Sequence, residues 1–145
     1  MIRIICFGKI KEPYLEALIE DYSKRIQRYH KLEIIELKDN NNQREETKDL
    51  LKAINPKDHL ILLDIKGVEY SSEEFAGHLD KLFVTTNNIT FIIGSSVGVE
   101  DEIKLMCHER ISFSKMTMPH GLFRGVLLEQ IYRAFKILNN ESYHK

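Results

Sequence analysis

Apolar residues in this chain form short continuous runs that alternate with longer stretches of helical spacing. An apolar run of five or six residues is typical of a strand buried on both faces of a parallel sheet. Apolar side chains three or four residues apart predict amphipathic helices. The predicted strands are Ile2–Phe7, Leu32–Leu37, Leu60–Ile65, Ile89–Ile93 and Arg110–Phe113. In Leu32–Leu37 the apolar residues alternate with charged Glu33 and Glu36.

Punctuating residues mark several helix ends. Pro13 suits a first helical turn, and Ser71 with Glu74 three residues later is typical of a capping box. Strands that alternate with helices predict an α/β fold, a mostly parallel sheet sandwiched by helices, and 145 residues fit a single domain, residues 1–145. The predicted helices span about 13–29, 45–54, 71–84, 100–107 and 123–138.

The last predicted helix, Phe123–Leu138, has two apolar stripes instead of one. A helix that is apolar on two sides is buried on two sides. One side can pack on the sheet, so the other predicts a partner, for which an isologous homodimer is the usual geometry. Gly125 lies inside this helix, where glycine costs about 1 kcal/mol relative to alanine. A close helix crossing, a close ligand approach and neutral drift all remain open as explanations.

The composition is that of an ordinary globular protein, with 43% hydrophobic and 30% charged residues. No window has the roughly 18 consecutive apolar residues of a membrane span. The N-terminal apolar run is typical of a first strand and not of a signal peptide. Two cysteines, Cys6 and Cys107, provide neither a disulfide framework nor metal-ligand spacing. We therefore expect a cytoplasmic protein without a metal or a membrane partner.

Charge is unevenly distributed along the chain. The formal net charge of −1 combines −5 over residues 1–109 with +4 over residues 110–145. The C-terminal quarter therefore attracts anions, although this imbalance alone is weak support for a function.

Three predicted strand ends carry unusual residues, at positions 63–67, 94–98 and 113–118. Ligands of parallel α/β sheets bind at the carboxyl ends of strands, so these segments are candidate walls of one pocket. Gly94 and Gly98 allow the backbone to approach a ligand, but a plain turn is an equal alternative. The segment GSSVG lacks the glycine and lysine spacing of phosphate-binding motifs, which argues against a dinucleotide-dependent enzyme.

The connection from Ser112 to Gly121 is longer than the usual two to six residues between a strand and a helix. Its mixture of phenylalanine, methionine, serine and threonine could enclose an aromatic ring such as adenine. Core filling is the alternative for the two methionines, Met116 and Met118.

Five motifs, LLDIKG, FIIGSSVG, ISFSKMTMPH, LLEQIYRAFKI and the terminal SYHK, occur in the order and spacing of one family. The chain resembles the ribosomal RNA large subunit methyltransferase H family, the pseudouridine-N3 methyltransferases of the SPOUT class. The resemblance covers nearly the whole chain. The chain departs from the family pattern at Ser95, where a second glycine is usual, and at Ser142, where a proline is usual. It also departs at Gly125, where a branched residue is usual, and in the shorter loop after Leu37.

This resemblance implies a C-terminal trefoil knot, which is a rare exception to the rule that chains do not thread loops. It also implies a homodimer, S-adenosylmethionine as methyl donor, and a pseudouridine of 23S rRNA in the assembled ribosome as substrate. On this reading the long connection before the last helix is the chain passing through the knot. The implied donor contacts are Leu63, Gly94, Phe113, Ser114, Lys115, Met116, Thr117 and Met118.

The resemblance assigns catalysis to Tyr143, His144 and Arg133, and contact with the RNA to Arg124 and Lys145. His144 could accept the proton of the target nitrogen, since histidine titrates near neutrality. Each assignment has an alternative: a disordered tail for His144, packing for Tyr143, and a surface pair with Glu129 for Arg133. A knotted tRNA methyltransferase and a non-catalytic ribosome-binding factor remain alternatives for the whole chain.

Overall fold

The computed structural model describes residues 1–145 as ten alternating strands and helices. The strands are β1 (Ile2–Phe7), β2 (Leu32–Leu37), β3 (His59–Glu69), β4 (Ile89–Ile93) and β5 (Glu109–Ser112). The helices are α1 (Pro13–Gln27), α2 (Gln43–Ala53), α3 (Ser72–Thr85), α4 (Asp101–Met106) and α5 (His120–Leu138).

All five strands are parallel and form one sheet in the order β2-β1-β4-β3-β5. The central strand β4 is buried at every position, which explains its uninterrupted apolar sequence. Strand β3 lies between β4 and β5 in this order, so the carboxyl ends of these three parallel strands are neighbours. The predicted parallel α/β sheet is therefore confirmed.

Helices cover both faces of the sheet. The larger core lies between the sheet and α1, α3 and α5, with Phe91 and Ile131 among its fully buried side chains. The smaller core joins the other face to α2 and α4 through residues such as Leu50 and Ile103. Each fully buried apolar side chain contributes about 1.5–3 kcal/mol, so these two layers hold the sheet in place.

Helix α5 is buried on two sides, and both sides are covered by residues of the same chain. It packs on the sheet and contacts both α1 and α3. A Cβ atom on Gly125 would lie 2.5 Å from Leu18 Cδ2, so this glycine permits a close crossing of α1 and α5. The two apolar stripes of α5 therefore do not by themselves require a second copy of the chain.

Most element boundaries differ from the prediction by one to three residues. Ser71 caps α3 as predicted, with the reciprocal bonds to Glu74 that define a capping box. Helix α5 begins at His120, three residues before its predicted start, so the connection after β5 covers only residues 113–119. Pro119 is the N-cap residue of α5, a position where its missing N–H breaks no helical hydrogen bond.

Strand β3 runs four residues past its predicted end, to Glu69. Ile111 of β5 pairs first with Leu63 and then, beyond a bulge, with Val68. A Cβ atom on Gly67 would lie 2.6 Å from the carbonyl carbon of Arg110. The end of β3 is thus closed tightly against the backbone of β5, and no periodicity could have signalled this contact.

No helix is long and apolar enough to cross a lipid bilayer.

Candidate methyl-donor site and C-terminal cluster

A cavity of about 610 Å³ opens at the carboxyl ends of β3, β4 and β5. All three segments singled out from the sequence contribute to its lining. The predicted donor contacts that line it are Leu63, Gly94, Phe113, Ser114, Met116, Thr117 and Met118. Lys115, the eighth predicted contact, is exposed and does not line this cavity.

Two glycines shape the loop at residues 94–98. Gly98 has φ of +76°, a left-handed conformation that side chains rarely adopt. Gly94 has no such constraint; a Cβ atom there would lie 3.1 Å from Val99 Cγ1. A side chain at Gly94 would press on Val99, whereas Gly98 is favoured by its backbone angle at the end of a turn closed by the bond from Gly98 N–H to the Ser95 carbonyl at 3.0 Å.

Helix α2 holds this loop from behind. Gln43 Nε2 donates a hydrogen bond to the carbonyl oxygen of Val97 at 2.9 Å. Ser95 Oγ donates to the carboxylate of Glu46, which also accepts the backbone N–H of Asn40 at 3.0 Å. Glu46 is only 2% exposed, so its bond to Ser95 is shielded from water and fixes the loop firmly.

The third wall of the cavity is the segment at residues 113–118, and serine hydroxyls hold its backbone in place through hydrogen bonds. Ser112 Oγ donates to the carbonyl oxygen of Ser114, and the N–H of Met116 donates to Ser114 Oγ at 3.0 Å. The ring of Phe113 packs against Phe123, with centroids 5.5 Å apart, and against Phe75 at 5.6 Å. The wall thus presents apolar surface for a flat ring and leaves backbone groups to recognise its edge.

The predicted catalytic residues lie together, but they do not line this cavity. Arg133 donates to Glu129 and to His144 Nδ1, the latter at 3.0 Å, and its guanidinium lies 4.8 Å from the centre of the Tyr143 ring. Tyr143 donates to Glu129 Oε2 at 3.2 Å. His144 Nε2 lies 2.6 Å from Glu73 Oε1. The terminal residues are therefore ordered by α3 and α5, and His144 is not a free tail residue.

The protonation state of this C-terminal cluster follows from its hydrogen bonds. Because Arg133 can only donate, Nδ1 of His144 accepts, and the Nε2–H then donates to Glu73. That bond from His144 lowers the pKa of Glu73. Burial, together with the hydrogen bond to Tyr22, raises the pKa of Tyr143, so its phenol stays protonated at neutral pH. Both ring nitrogens of His144 are engaged, and Tyr143 can act only as a neutral hydrogen-bonding group.

Sequence comparison identifies the family of this arrangement. Residues 1–144 match the family model described as "Predicted SPOUT methyltransferase". The chain belongs to the SPOUT methyltransferases. Within them it belongs to the ribosomal RNA large subunit methyltransferase H family. It is 46% identical to "Ribosomal RNA large subunit methyltransferase H 1" of Clostridium perfringens (strain SM101 / Type A) over 157 aligned residues, covering 99% of each chain. The protein of the same family name from Clostridium beijerinckii is 47% identical with the same coverage.

Solved structures of remote sequence share the SPOUT methyltransferase fold. A probable methylase family protein from Haemophilus influenzae Rd KW20 superposes with a TM-score of 0.60 at 13% identity. The match covers 96% of this chain and 66% of that one. The SpoU methyltransferase AviRb from Streptomyces viridochromogenes superposes with a TM-score of 0.50 at 9% identity, covering 98% of this chain and 62% of that one. At such low identities these similarities show the fold alone.

The structure corrects one assignment in this SPOUT methyltransferase. Arg124, predicted to contact RNA, is 2% exposed and pairs with Glu36 at 2.6 Å. It also donates to the carbonyl oxygens of Phe7 and Gly8. Arg124 therefore joins α5 to the sheet edge and cannot reach a phosphate without unfolding this contact. The sequence pattern hid this role, since an arginine in a basic segment more often faces solvent.

Ion pairing also reduces the positive charge of the C-terminal quarter. Four of its six cations have carboxylate partners, among them Arg110 with Asp64 and Lys136 with Glu141. Lys115 and Lys145 have no carboxylate partner and are exposed, so they remain available to a polyanion. The charge asymmetry of the sequence thus overstates the attraction for RNA.

Several residues that shape this SPOUT methyltransferase site were missed by the sequence analysis. Gln43 and Glu46 fix the cavity loop, and Gln43 and His120 line the cavity directly. Asp64 also lines it, within the strand end at positions 63–67 that the sequence analysis had singled out. One signal was available for Glu46: it lies four residues before Leu50 on the apolar side of α2. No comparable signal pointed to Gln43, which the sequence places in a polar segment.

Proposed function

We propose that this chain transfers a methyl group from S-adenosylmethionine to N3 of a pseudouridine in 23S rRNA, acting on the assembled ribosome. The family membership and the names of the relatives support a ribosomal RNA methyltransferase. The observation that carries the proposal is the convergence of seven predicted donor contacts on one cavity at three strand ends. One catalytic domain over residues 1–145, working in the cytoplasm where ribosomes assemble, is part of the same proposal.

The cavity suits S-adenosylmethionine in size and chemistry. Its volume of about 610 Å³ lies within the 300–1,000 Å³ typical of small-molecule sites. Phe113 and the methionines offer apolar faces for the adenine ring, and the Gly94 backbone can approach the ligand without a side chain intervening. The Asp64 carboxylate at the cavity wall complements a ligand that carries a cationic sulfur and an ammonium group.

When bound, S-adenosylmethionine supplies a methyl group attached to a positively charged sulfur. Transfer forms the bond from N3 to the methyl carbon, breaks the sulfur–carbon bond, and leaves a neutral thioether. The protein's task is to align the two molecules and to receive the N3 proton. No metal is needed for this chemistry, because the leaving group is already activated by its charge.

The C-terminal cluster fits the second part of that task. His144 becomes a proton acceptor if the substrate displaces Arg133 from Nδ1. Arg133 is then free to stabilise the developing negative charge on the pyrimidine ring. Glu129 holds Arg133 and Tyr143 in place, and Glu73 holds the opposite nitrogen of His144. Lys145 and Lys115 would meet the RNA backbone.

The double pairing of Ile111 and the tight contact at Gly67 support a threaded C-terminal segment, the trefoil knot of the family.

A homodimer is supported by exposed apolar side chains near the cavity. Met116 is 78% exposed, and Tyr14 and Leu122 are exposed at the adjoining starts of α1 and α5, which meet where Gly121 faces Leu15. Such a cluster beside a ligand site is typical of an interface.

Methyl-group labelling tests the proposal directly. Ribosomes from a strain that lacks this enzyme are incubated with the protein and labelled S-adenosylmethionine, and the labelled nucleotide is then mapped. We expect a label on N3 of one pseudouridine of 23S rRNA, and little label on free tRNA or on naked rRNA.

Two outcomes would overturn the proposal in different ways. Labelling of free tRNA in preference to ribosomes would identify a transfer RNA methyltransferase. Binding of the protein to ribosomes without incorporation of any label, in a preparation that binds S-adenosylmethionine, would identify a non-catalytic ribosome-binding factor.

A further inference from the structure

A second, smaller cavity of about 190 Å³ lies beside the donor cavity. The two share Ile111, Phe113 and Met118, so one wall separates them. The remaining lining comes from residues 70–75 around the start of α3, from Ser112 of β5, and from Val126 and Gln130 of α5. Apart from the shared residues and Ser71, the predicted helix cap, no residue of this cavity was assigned a role from the sequence.

This cavity also adjoins the C-terminal cluster. Ser72 is the chain neighbour of Glu73, which holds His144. Gln130 is the neighbour of Glu129, to which its Nε2 donates at 3.0 Å and which holds Tyr143 and Arg133. The smaller cavity therefore shares a wall with the donor cavity, and two of its lining residues are chain neighbours of the carboxylates that hold the C-terminal cluster.

We infer that this smaller cavity binds the acceptor base, and that the paired side chains of Ser72 and Gln130 recognise pseudouridine by the N1–H that uridine lacks. The inference rests on the proposed function and names the subsite and the group that would set its specificity. A single pyrimidine ring, flat and small, is the chemical class that such a volume and such walls fit.

The hydrogen bonds of the pair leave its two oxygen atoms as acceptors. Ser72 Oγ donates its only hydrogen to Gln130 Oε1 at 2.7 Å. The lone pairs of Ser72 Oγ and the second lone pair of Gln130 Oε1 can then only accept. An N–H on the ligand satisfies this pair, whereas a ligand without one leaves polar atoms unpaired when it excludes water.

The geometry of the ring agrees with this placement. In pseudouridine the glycosidic carbon C5, the target N3 and the free N1 alternate around the ring, and so point in three evenly spaced directions. N3 can face the donor cavity past Met118 while N1 faces Ser72 and Gln130, and the ribose leaves by the open side. Phe113, which is partly exposed, supplies an apolar ring surface for the base, and the buried Phe75 holds that ring edge-on at 5.6 Å. In uridine N1 carries the ribose, so the acceptor pair has no hydrogen to receive.

The test compares two acceptors and three variants. Ribosomes that carry pseudouridine at the target are compared with ribosomes from cells lacking the pseudouridine synthase, which carry uridine there. The variants are Ser72→Ala, Gln130→Met and Gln43→Met. The rate of methyl transfer to each ribosome and the Kd for S-adenosylmethionine are measured for every protein.

We expect the unaltered protein to prefer the pseudouridine ribosomes by about tenfold or more, the value of one well-made hydrogen bond. Ser72→Ala and Gln130→Met should reduce this ratio towards one while leaving the Kd for the donor unchanged. Gln43→Met should do the opposite, weakening donor binding through the loop it holds while keeping the ratio. Ser72 is not the capping residue of α3, so its replacement leaves the helix start intact.

An unchanged ratio in both Ser72→Ala and Gln130→Met, with the proteins folded, would overturn the inference while the proposed function stands. Loss of donor affinity in those two variants would overturn it as well, since the pair would then belong to the donor site. If the unaltered protein labels neither ribosome, the proposed function itself fails, and that result is distinguishable from both of the others.

Discussion

At the scale of single residues, Gly67 makes the tightest backbone contact among the glycines of this chain. The nearest atoms to a Cβ placed there are the carbonyl carbon and oxygen of Arg110 and the nitrogen of Ile111, all between 2.6 and 2.7 Å away. Main-chain atoms of a paired strand cannot rotate away as a side chain can. A methyl group at this position must therefore separate β3 from β5.

Replacing Gly67 with alanine should destabilise the protein by about 3 kcal/mol, the upper range for overpacking a core, and should open the donor cavity. Urea unfolding measures the free energy of unfolding. Gly77→Ala is the matched control: nothing lies within 4 Å of a Cβ at Gly77 in helix α3, so alanine there should be neutral or stabilise by up to about 1 kcal/mol. Equal effects of the two substitutions would contradict the contact at Gly67.

The two cysteines have neither a disulfide nor a reactive environment. Burial raises the pKa of the Cys6 thiol to about 11, and burial likewise raises that of Cys107 to about 11. Both thiols are thus neutral at physiological pH and are poor nucleophiles. This agrees with a mechanism in which the methyl group passes directly between donor and acceptor.

At the scale of elements, the loop at residues 94–98 shows what a pattern can and cannot predict. Its position after a buried strand made it a candidate wall of a pocket, because strand ends in parallel sheets meet at one edge, and the loop does line the cavity. The anchoring of the loop by Gln43 and Glu46 was not predictable, since those residues lie about fifty positions earlier in the chain. The prediction that Arg124 contacts RNA was wrong for the same reason, because its partner Glu36 is distant in sequence.

Gly94→Val should weaken the binding of S-adenosylmethionine by roughly tenfold or more, because the branched side chain would press on Val99 and displace the loop. Isothermal titration calorimetry gives the Kd, and the Gly77→Ala protein provides the reference for a glycine substitution outside the site. Unchanged donor affinity would remove Gly94 from the donor site.

The C-terminal segment is a second element whose role can be separated from donor binding. Tyr143→Ala combined with His144→Ala should leave the Kd for S-adenosylmethionine unchanged, since neither residue lines the donor cavity, and should lower methylation of ribosomes at least a hundredfold.

Tyr143→Phe is the control for this pair, because it keeps the ring contacts with Arg133 and Tyr132 and removes only the hydroxyl. It should retain more activity than the double variant. A double variant with full activity would refute the catalytic assignment of the C-terminal residues.

At the scale of the whole molecule, the sequence predicted the order of strands and helices well, because burial on both faces of the sheet leaves uninterrupted apolar runs. It did not predict how the chain accommodates α5. The second stripe of that helix suggested a partner copy, whereas α1 and α3 cover it. A stripe shows that a surface is covered, but it does not show which chain covers it.

The proposed homodimer is tested by mass in solution. Light scattering should give twice the 17.0 kDa of one chain. Leu122→Glu, at the exposed start of α5, should shift the protein towards monomer. Leu105→Glu in α4, an even more exposed leucine, should not. A monomeric mass for the unaltered protein, or identical effects of the two substitutions, would contradict an interface at this end of the molecule.

The contact of Gly67 with β5 has a consequence for the protein's own synthesis. The floor of the donor cavity is present once β4 has formed, but its third wall and the strand that closes on β3 come from the last third of the chain. A nascent polypeptide emerging from N-terminus to C-terminus therefore has no binding site to offer until nearly the whole chain has been translated. Under the proposed function, binding of S-adenosylmethionine therefore reports completed folding, and a truncated product would be unable to compete for the donor.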